Sequence, residues 1–217
     1  MAARVALITG GEGDLAQAVR IRLEADGWQV HAPGKAVLDV TSTASTTAYF
    51  GDLHRIDLLI NNAGLVNDAL VASMTSTQWE SVLAVNLDGA FRCCRDALKL
   101  MVKQRAGHII NIGSFSALSG PIGQANYAAA KAGLVGLTRS LAREYGPRNV
   151  RCNCVLPGFL ETKMTRTLLE KRRTEVLATH ALGSLNTTEE AARFIAHLDS
   201  FAHISGQVFQ LDSRVHG

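Results

Sequence analysis

Short apolar runs alternate with longer stretches of helical periodicity along the whole chain. Val5–Ile8 and residues 57–60, 108–112, 151–155 and 207–211 are near-continuous apolar runs, as strands buried on both faces are. Between them, residues 15–26, 77–104 and 126–145 and Thr188–Leu198 repeat apolar positions with a helical period. Strands that alternate with helices in this way predict an α/β fold built on a doubly wound parallel sheet. One stretch breaks the rhythm. Residues 28–32 read as a second strand and 36–40 as a third, with only Pro33, Gly34 and Lys35 between them. Adjacent parallel strands need a crossover of about a dozen residues or more. Either one of the two is not a true strand, or the segment is a near-continuous edge. The chain has no internal repeat, no low-complexity tract and no Pro- or Ser-rich linker, so residues 1–217 read as a single domain.

Composition narrows the class. A chain of 217 residues can bury a sizeable core. With 47% apolar and only 6% aromatic residues, that core is aliphatic. A net charge of +3, without a basic tract of five or more, argues against a nucleic-acid partner. The opening apolar run is too short for a signal peptide, and no run approaches the roughly 20 residues of a membrane helix. A cytoplasmic protein without a membrane partner is expected. Cys93-Cys94 and Cys152-x-Cys154 lack the spacing of a zinc knuckle. They read as small buried side chains in a reducing compartment, and no metal site is expected.

Chemistry enters at Tyr127 and Lys131, four residues apart on a helical stretch and therefore on one face. A free phenol has a pKa of about 10. An ammonium roughly 4 Å away, at an effective dielectric near 20, is worth about 4 kcal/mol to the phenolate. That is about three pKa units, enough to make the pair a proton donor or acceptor for an oxygen.

A second signal follows the first strand, where Thr9-Gly10-Gly11-Glu12-Gly13-Asp14-Leu15-Ala16 leads into a helix. Glycines at such a turn let backbone amides approach a pyrophosphate at the helix N-terminus. Asp14 would compete for those amides unless it turns outward. At the end of the second strand stand His31, Ala32 and Lys35, with no acid before Asp39. A base there suits the 2′-phosphate of NADP, and an acid the 2′-hydroxyl of NAD. The balance favours NADP with NAD possible, Glu12 pulling the other way.

Further stretches fall in order: Asn61-Asn62-Ala63-Gly64, Val85-Asn86-Leu87, Gly113-Ser114 thirteen residues before Tyr127, and Pro157-Gly158-Phe159-Leu160-Glu161-Thr162. Across almost its whole length the chain resembles the short-chain dehydrogenase/reductase family, most of all its 3-oxoacyl-acyl-carrier-protein reductase branch. The resemblance implies a Rossmann-type sheet with a shortened segment between the second and third strands. It implies a ketoreductase of fatty acid biosynthesis, using NADPH before NADH. Tyr127 would protonate the carbonyl, Lys131 would hold the nicotinamide ribose and lower the Tyr127 pKa, and Ser114 would polarise the carbonyl. Asn86 would interrupt its helix and hold a water that links Lys131 to solvent. Thr9, Gly10, Gly13 and Leu15 would form the phosphate turn, and Asp39 and Val40 the adenine side. Asn62, Ala63 and Gly64 would line the adenine ribose. Pro157, Gly158, Leu160 and Thr162 would hold the carboxamide and pyrophosphate. Arg105 and Arg148 fall where relatives dock the acidic carrier, although both also read as solvated helix-end arginines. Residues 164–185 would form a mobile lid carrying Lys171, Arg172 and Arg173. A homo-oligomer, dimer or tetramer, is expected through helices near 77–104 and 124–145. Two alternatives stay open: reduction of another small carbonyl or a pterin-like ring, and a weakly binding non-catalytic relative. Asp14 and Ala16 stand where the family has its last two turn glycines, which puts the grip on the adenosine half in doubt.

Overall fold

The computed structural model describes residues 3–163 and 165–215. Six strands, β1 (Val5–Ile8), β2 (Gln29–His31), β3 (Leu58–Asn61), β4 (Gly107–Ile112), β5 (Val150–Leu156) and β6 (Val208–Gln210), form one all-parallel sheet in the order β2-β1-β3-β4-β5-β6. The order reverses at β1, as in doubly wound folds, and places the ligand crevice at the carboxyl ends of the strands.

Alternate strand residues face opposite ways, so the sheet needs two covers. On one face Ala6, Ile8, Leu58, Ile60, Ile110 and Val155 pack against α1 (Asp14–Ala25) and α8 (Thr188–Leu198). On the other, Leu7, Leu59, Ile109 and Cys152 meet α2 (Thr43–Gly51), α4 (Gly89–Gln104) and α6 (Ala125–Tyr145). All four cysteines are free and buried, and burial pushes their thiols up, to about 12 for Cys152 and about 11 for Cys154. They are small core side chains.

Three segments differ from the sequence reading. Residues 36–40 are not a strand. Val37 N and Leu38 N both donate to Gly34 O (3.1 and 3.0 Å), closing a turn. Leu38 and Val40 are nevertheless buried, which is why the run looked like a strand. The segment after β2 leads through α2 to β3, and β2 stays at the sheet edge. The helix at 43–51 has little apolar periodicity, only Thr46 and Phe50 being buried, and its start is fixed by Ser45 N donating to the Ser42 hydroxyl.

The long periodic stretch 77–104 is not one helix either. It divides into α3 (Ser76–Leu83), a π-turn over Ala84–Asp88, and α4. Two further helices are α5 (Ser116–Ser119), one turn long, and α7 (Arg166–Ala178). Trp79 on α3 and Phe91 on α4 remain exposed.

Candidate active site

Ser114 lies just beyond β4, where Gly113 N donates to Val155 O and holds the strand end against β5 (2.8 Å). Across from it, α6 presents Tyr127 and Lys131 one turn apart. Lys131 is 3% exposed, and its ammonium donates to Ile112 O at 2.7 Å, the strand residue two before Ser114. The same ammonium lies 5.6 Å from the centre of the Tyr127 ring. Tyr127 and Ser114 are joined by a side-chain hydrogen bond.

The protonation states differ from the sequence expectation. Tyr127 keeps part of its surface open to the crevice, but the surrounding protein pushes its phenol up to about 12, the hydrogen bond with Ser114 opposing and the Asp68 carboxylate adding to the rise. Burial pulls Lys131 down to about 8. Burial therefore governs both groups, and the phenol is not brought near neutrality. At neutral pH both groups hold their protons, and Tyr127 stands ready as an acid.

Asn86 is 1% exposed and sits inside the π-turn. Its amide nitrogen donates to Val82 O (2.9 Å) and Leu65 O (2.8 Å), taking a carbonyl freed by the broken helix ladder and one from the loop after β3. The helix interruption expected at this residue is present.

Several of the residues expected on the cofactor side gather at the carboxyl ends of β1 and β3. The Thr9 hydroxyl accepts from Asn62 N and Ala63 N (both 3.0 Å), and Asn62 Nδ2 donates to Thr9 O and Gly10 O. Gly10 has φ +65°, and a Cβ there would stand 2.8 Å from Ala63 Cα, so only glycine fits. Gly13 is the N-cap of α1 without any side-chain cap bond, and Leu15 is buried behind it. Gly64 packs against the Asn86 carbonyl. Asp14 is turned away from its own helix, and its carboxylate accepts from Lys163 N at 2.7 Å. It ties the start of α1 to the loop after β5 and leaves the first-turn amides open.

The loop after β5 carries Pro157, Gly158 (φ +88°), Leu160 and Thr162. Pro157 O accepts from Asn186 Nδ2 (2.8 Å), Leu160 bridges to Asn186, and Thr162 N donates to the Thr165 hydroxyl (2.9 Å). Asp39 folds back on Thr41, accepting from its amide (2.9 Å) and hydroxyl (2.7 Å), which hold its carboxyl below the usual range. Val40 is buried in the core beneath α4.

Two groups stand apart from the catalytic cluster. Arg105 and Arg148 are exposed and neighbouring, because Asn149 Nδ2 donates to Arg105 O (3.0 Å), but they precede β4 and β5 and so lie at the opposite end of the sheet from Ser114. In the expected lid, Arg172 pairs with Glu175 and Arg173 with Glu161, so two of its three basic side chains are matched by surface acids. Met164, its expected first residue, lies outside the described residues.

The sequence reading missed several residues. Ser116 and Gln124 lie beside Ser114, and Gln124 reaches Asp68. The Arg214 guanidinium stacks 3.9 Å over Phe115, the residue after Ser114, and is held by the buried Asp212 carboxylate (2.5 Å). Nothing in their spacing marks them, because they meet through loops from four parts of the chain.

A doubly wound parallel sheet brings Ser114, Tyr127 and Lys131 to the carboxyl ends of its strands, where such folds hold their ligands. The chain belongs to the short-chain dehydrogenase family, whose model matches residues 4–173. It is similar to the 3-oxoacyl-acyl-carrier-protein reductase FabG of Chlamydia trachomatis, at 38% identity over 94% of this chain and 84% of that one. The reductase of the same name from Aquifex aeolicus is 39% identical over 95% and 85%, and that of Escherichia coli K12 is 36% identical over 96% of both. Among solved structures, gox2181 superposes with a TM-score of 0.88 at 29% identity, covering 98% of this chain and 95% of that one.

Proposed function

We propose that the protein reduces a ketone to a secondary alcohol with a hydride from NADPH, and that its substrate is a 3-oxoacyl thioester carried on acyl carrier protein. The observation that carries this reading is the hydrogen-bonded Ser114–Tyr127 pair with the buried Lys131 ammonium beneath it. The residues fit a nicotinamide dinucleotide. Among the described residues Lys131 has Ile112 O as its hydrogen-bond acceptor, which leaves two N–H donors for ribose hydroxyls. The uncapped start of α1 and the close approach at Gly10 suit a pyrophosphate.

When bound, the cofactor supplies the hydride. The chain's own residues handle the oxygen. Ser114 hydrogen-bonds the carbonyl and withdraws charge from it. Tyr127, protonated across the neutral range, gives its proton to the oxygen as negative charge develops there. Lys131 then lies close enough to stabilise the phenolate that remains. The raised phenol holds at neutral pH the proton that reduction consumes.

The thioester substrate is supported by the reductases to which the chain is similar. NADPH is supported by the lack of a carboxylate at the end of β2 and by the exposed Lys35. Against it stands Glu12, whose side chain lies against Gly34. Titrating the purified protein with NADPH and NADH, by quenching or calorimetry, tests the cofactor. NADPH is expected to bind more tightly, and Lys35→Ala to erase most of that preference. Failure of both cofactors to bind below millimolar levels would contradict the oxidoreductase reading.

A further inference from the structure

A chain of side chains runs from the catalytic tyrosine to the surface. Tyr127 is hydrogen-bonded to Ser114. The Ser114 hydroxyl donates to the Ser116 hydroxyl (3.2 Å), and Ser116 N donates back to Ser114 Oγ (3.2 Å). The Ser116 hydroxyl donates to Gln124 Oε1 (3.0 Å), and Gln124 Nε2 donates to Asp68 Oδ2 (2.8 Å). Asp68 is exposed, while Ser114, Ser116 and Gln124 are half-buried.

The far end sets the direction of the whole chain. An ionised carboxylate only accepts hydrogen bonds, so Gln124 must offer Asp68 its NH2 group and turn its carbonyl to Ser116. Ser116 spends its one proton on that carbonyl. Its oxygen can then only accept from Ser114. In the empty site the Ser114 proton therefore rests on Ser116.

We propose that Ser116, Gln124 and Asp68 are positioning residues for Ser114, an acidic surface group fixing the place and orientation of its hydroxyl beside Tyr127 until a carbonyl enters. This rests on the reductase reading above. When the carbonyl oxygen arrives, it accepts a hydrogen bond from Tyr127. Ser114 swings its own proton from Ser116 to the carbonyl, while Ser116 N continues to hold the oxygen in place. The bond given up is long for a pair of hydroxyls, whose usual separation is about 2.7–2.8 Å, so the switch costs little.

The test is a double-mutant cycle on Ser116→Ala and Asp68→Asn, with Ser116→Thr as the conservative control. Asp68 is exposed, so the asparagine variant folds whatever happens at Ser116. An asparagine donates as well as accepts and no longer fixes the direction. Ser116→Ala is expected to lower kcat about five- to tenfold, with the NADPH dissociation constant and the substrate KM unchanged. Asp68→Asn should lower kcat by less, Ser116→Thr should restore most of it, and the double variant should be no slower than Ser116→Ala alone. A double variant whose loss is the product of the two single losses, or a loss confined to KM, overturns the proposal. A readout without turnover separates this from failure of the reductase reading. With carbon-13-labelled tyrosine, the Tyr127 ring signal, assigned by its disappearance in Tyr127→Phe, should shift in the same direction in Ser116→Ala and Asp68→Asn. A signal that Asp68→Asn leaves in place would refute the link even in a protein that reduces nothing.

Discussion

Lys131 is an ammonium buried with one carbonyl for company. Burial lowers its pKa from 10.5 to about 8. At about 1.36 kcal/mol per unit, holding the charge inside costs about 3 kcal/mol at neutral pH. Between pH 8 and 10.5 the unfolded chain binds more protons than the folded one, so folded stability rises with pH across that window. Lys131→Met is therefore expected to stabilise the cofactor-free protein by about 1–3 kcal/mol at pH 7, less the bond lost at Ile112 O, while destroying function. The gain should shrink as pH rises from 8 to 10.5, which urea unfolding of both proteins at a series of pH values would show. A variant no more stable than the parent at pH 7 would mean that the lysine is not strained. Tyr127, Lys131 and Ser114 were legible in the sequence because their spacing follows from one helix and one strand end. Ser116, Gln124 and Asp68 were not, because their partnership arises where three loops meet.

Periodicity located most elements, and it failed where a helix carries a function in its own backbone. The apolar repeat runs unbroken through 77–104, yet the ladder slips at Ala84–Asp88. Asn86 fills the slip by donating to Val82 O and Leu65 O, so a polar side chain stands where the pattern shows only a helix. Asn86→Ala would leave both carbonyls without these donors. It is expected to cost about 1–3 kcal/mol in urea unfolding. Unchanged stability would show that the π-turn holds itself. The turn at 34–38 misled in the opposite sense, since Leu38 and Val40 are apolar to fill the core beneath α4 and not to pair in a sheet. Helix α2 was hidden because its Thr- and Ser-rich stretch carries too few apolar positions to mark a face.

In the whole molecule the parallel sheet does the gathering. Strands β1, β3, β4 and β5 all end on one side, and there Thr9, Asn62, Ser114 and Pro157 come together from positions far apart in sequence. The shortened path after β2 brings the chain directly over the glycine turn, where Gly11 N donates to Pro33 O (3.0 Å) and any larger residue at Gly11 would strike Ala32 O. The connection from β2 to β3 holds this turn and α2 but no further strand. Arg105 and Arg148 lie at the far end of the same sheet, so the chemistry at Ser114 does not depend on them directly. The central claim is that the Tyr127 proton completes a ketone reduction. Its most direct measurement is the rate of NADPH oxidation with an acetoacetyl thioester, in the wild-type protein and in Tyr127→Phe, alongside the NADPH affinity of each. The account predicts turnover in the wild type and its loss by at least about a hundredfold in the variant with affinity nearly intact; a phenylalanine variant that still reduces the thioester at a comparable rate would contradict it.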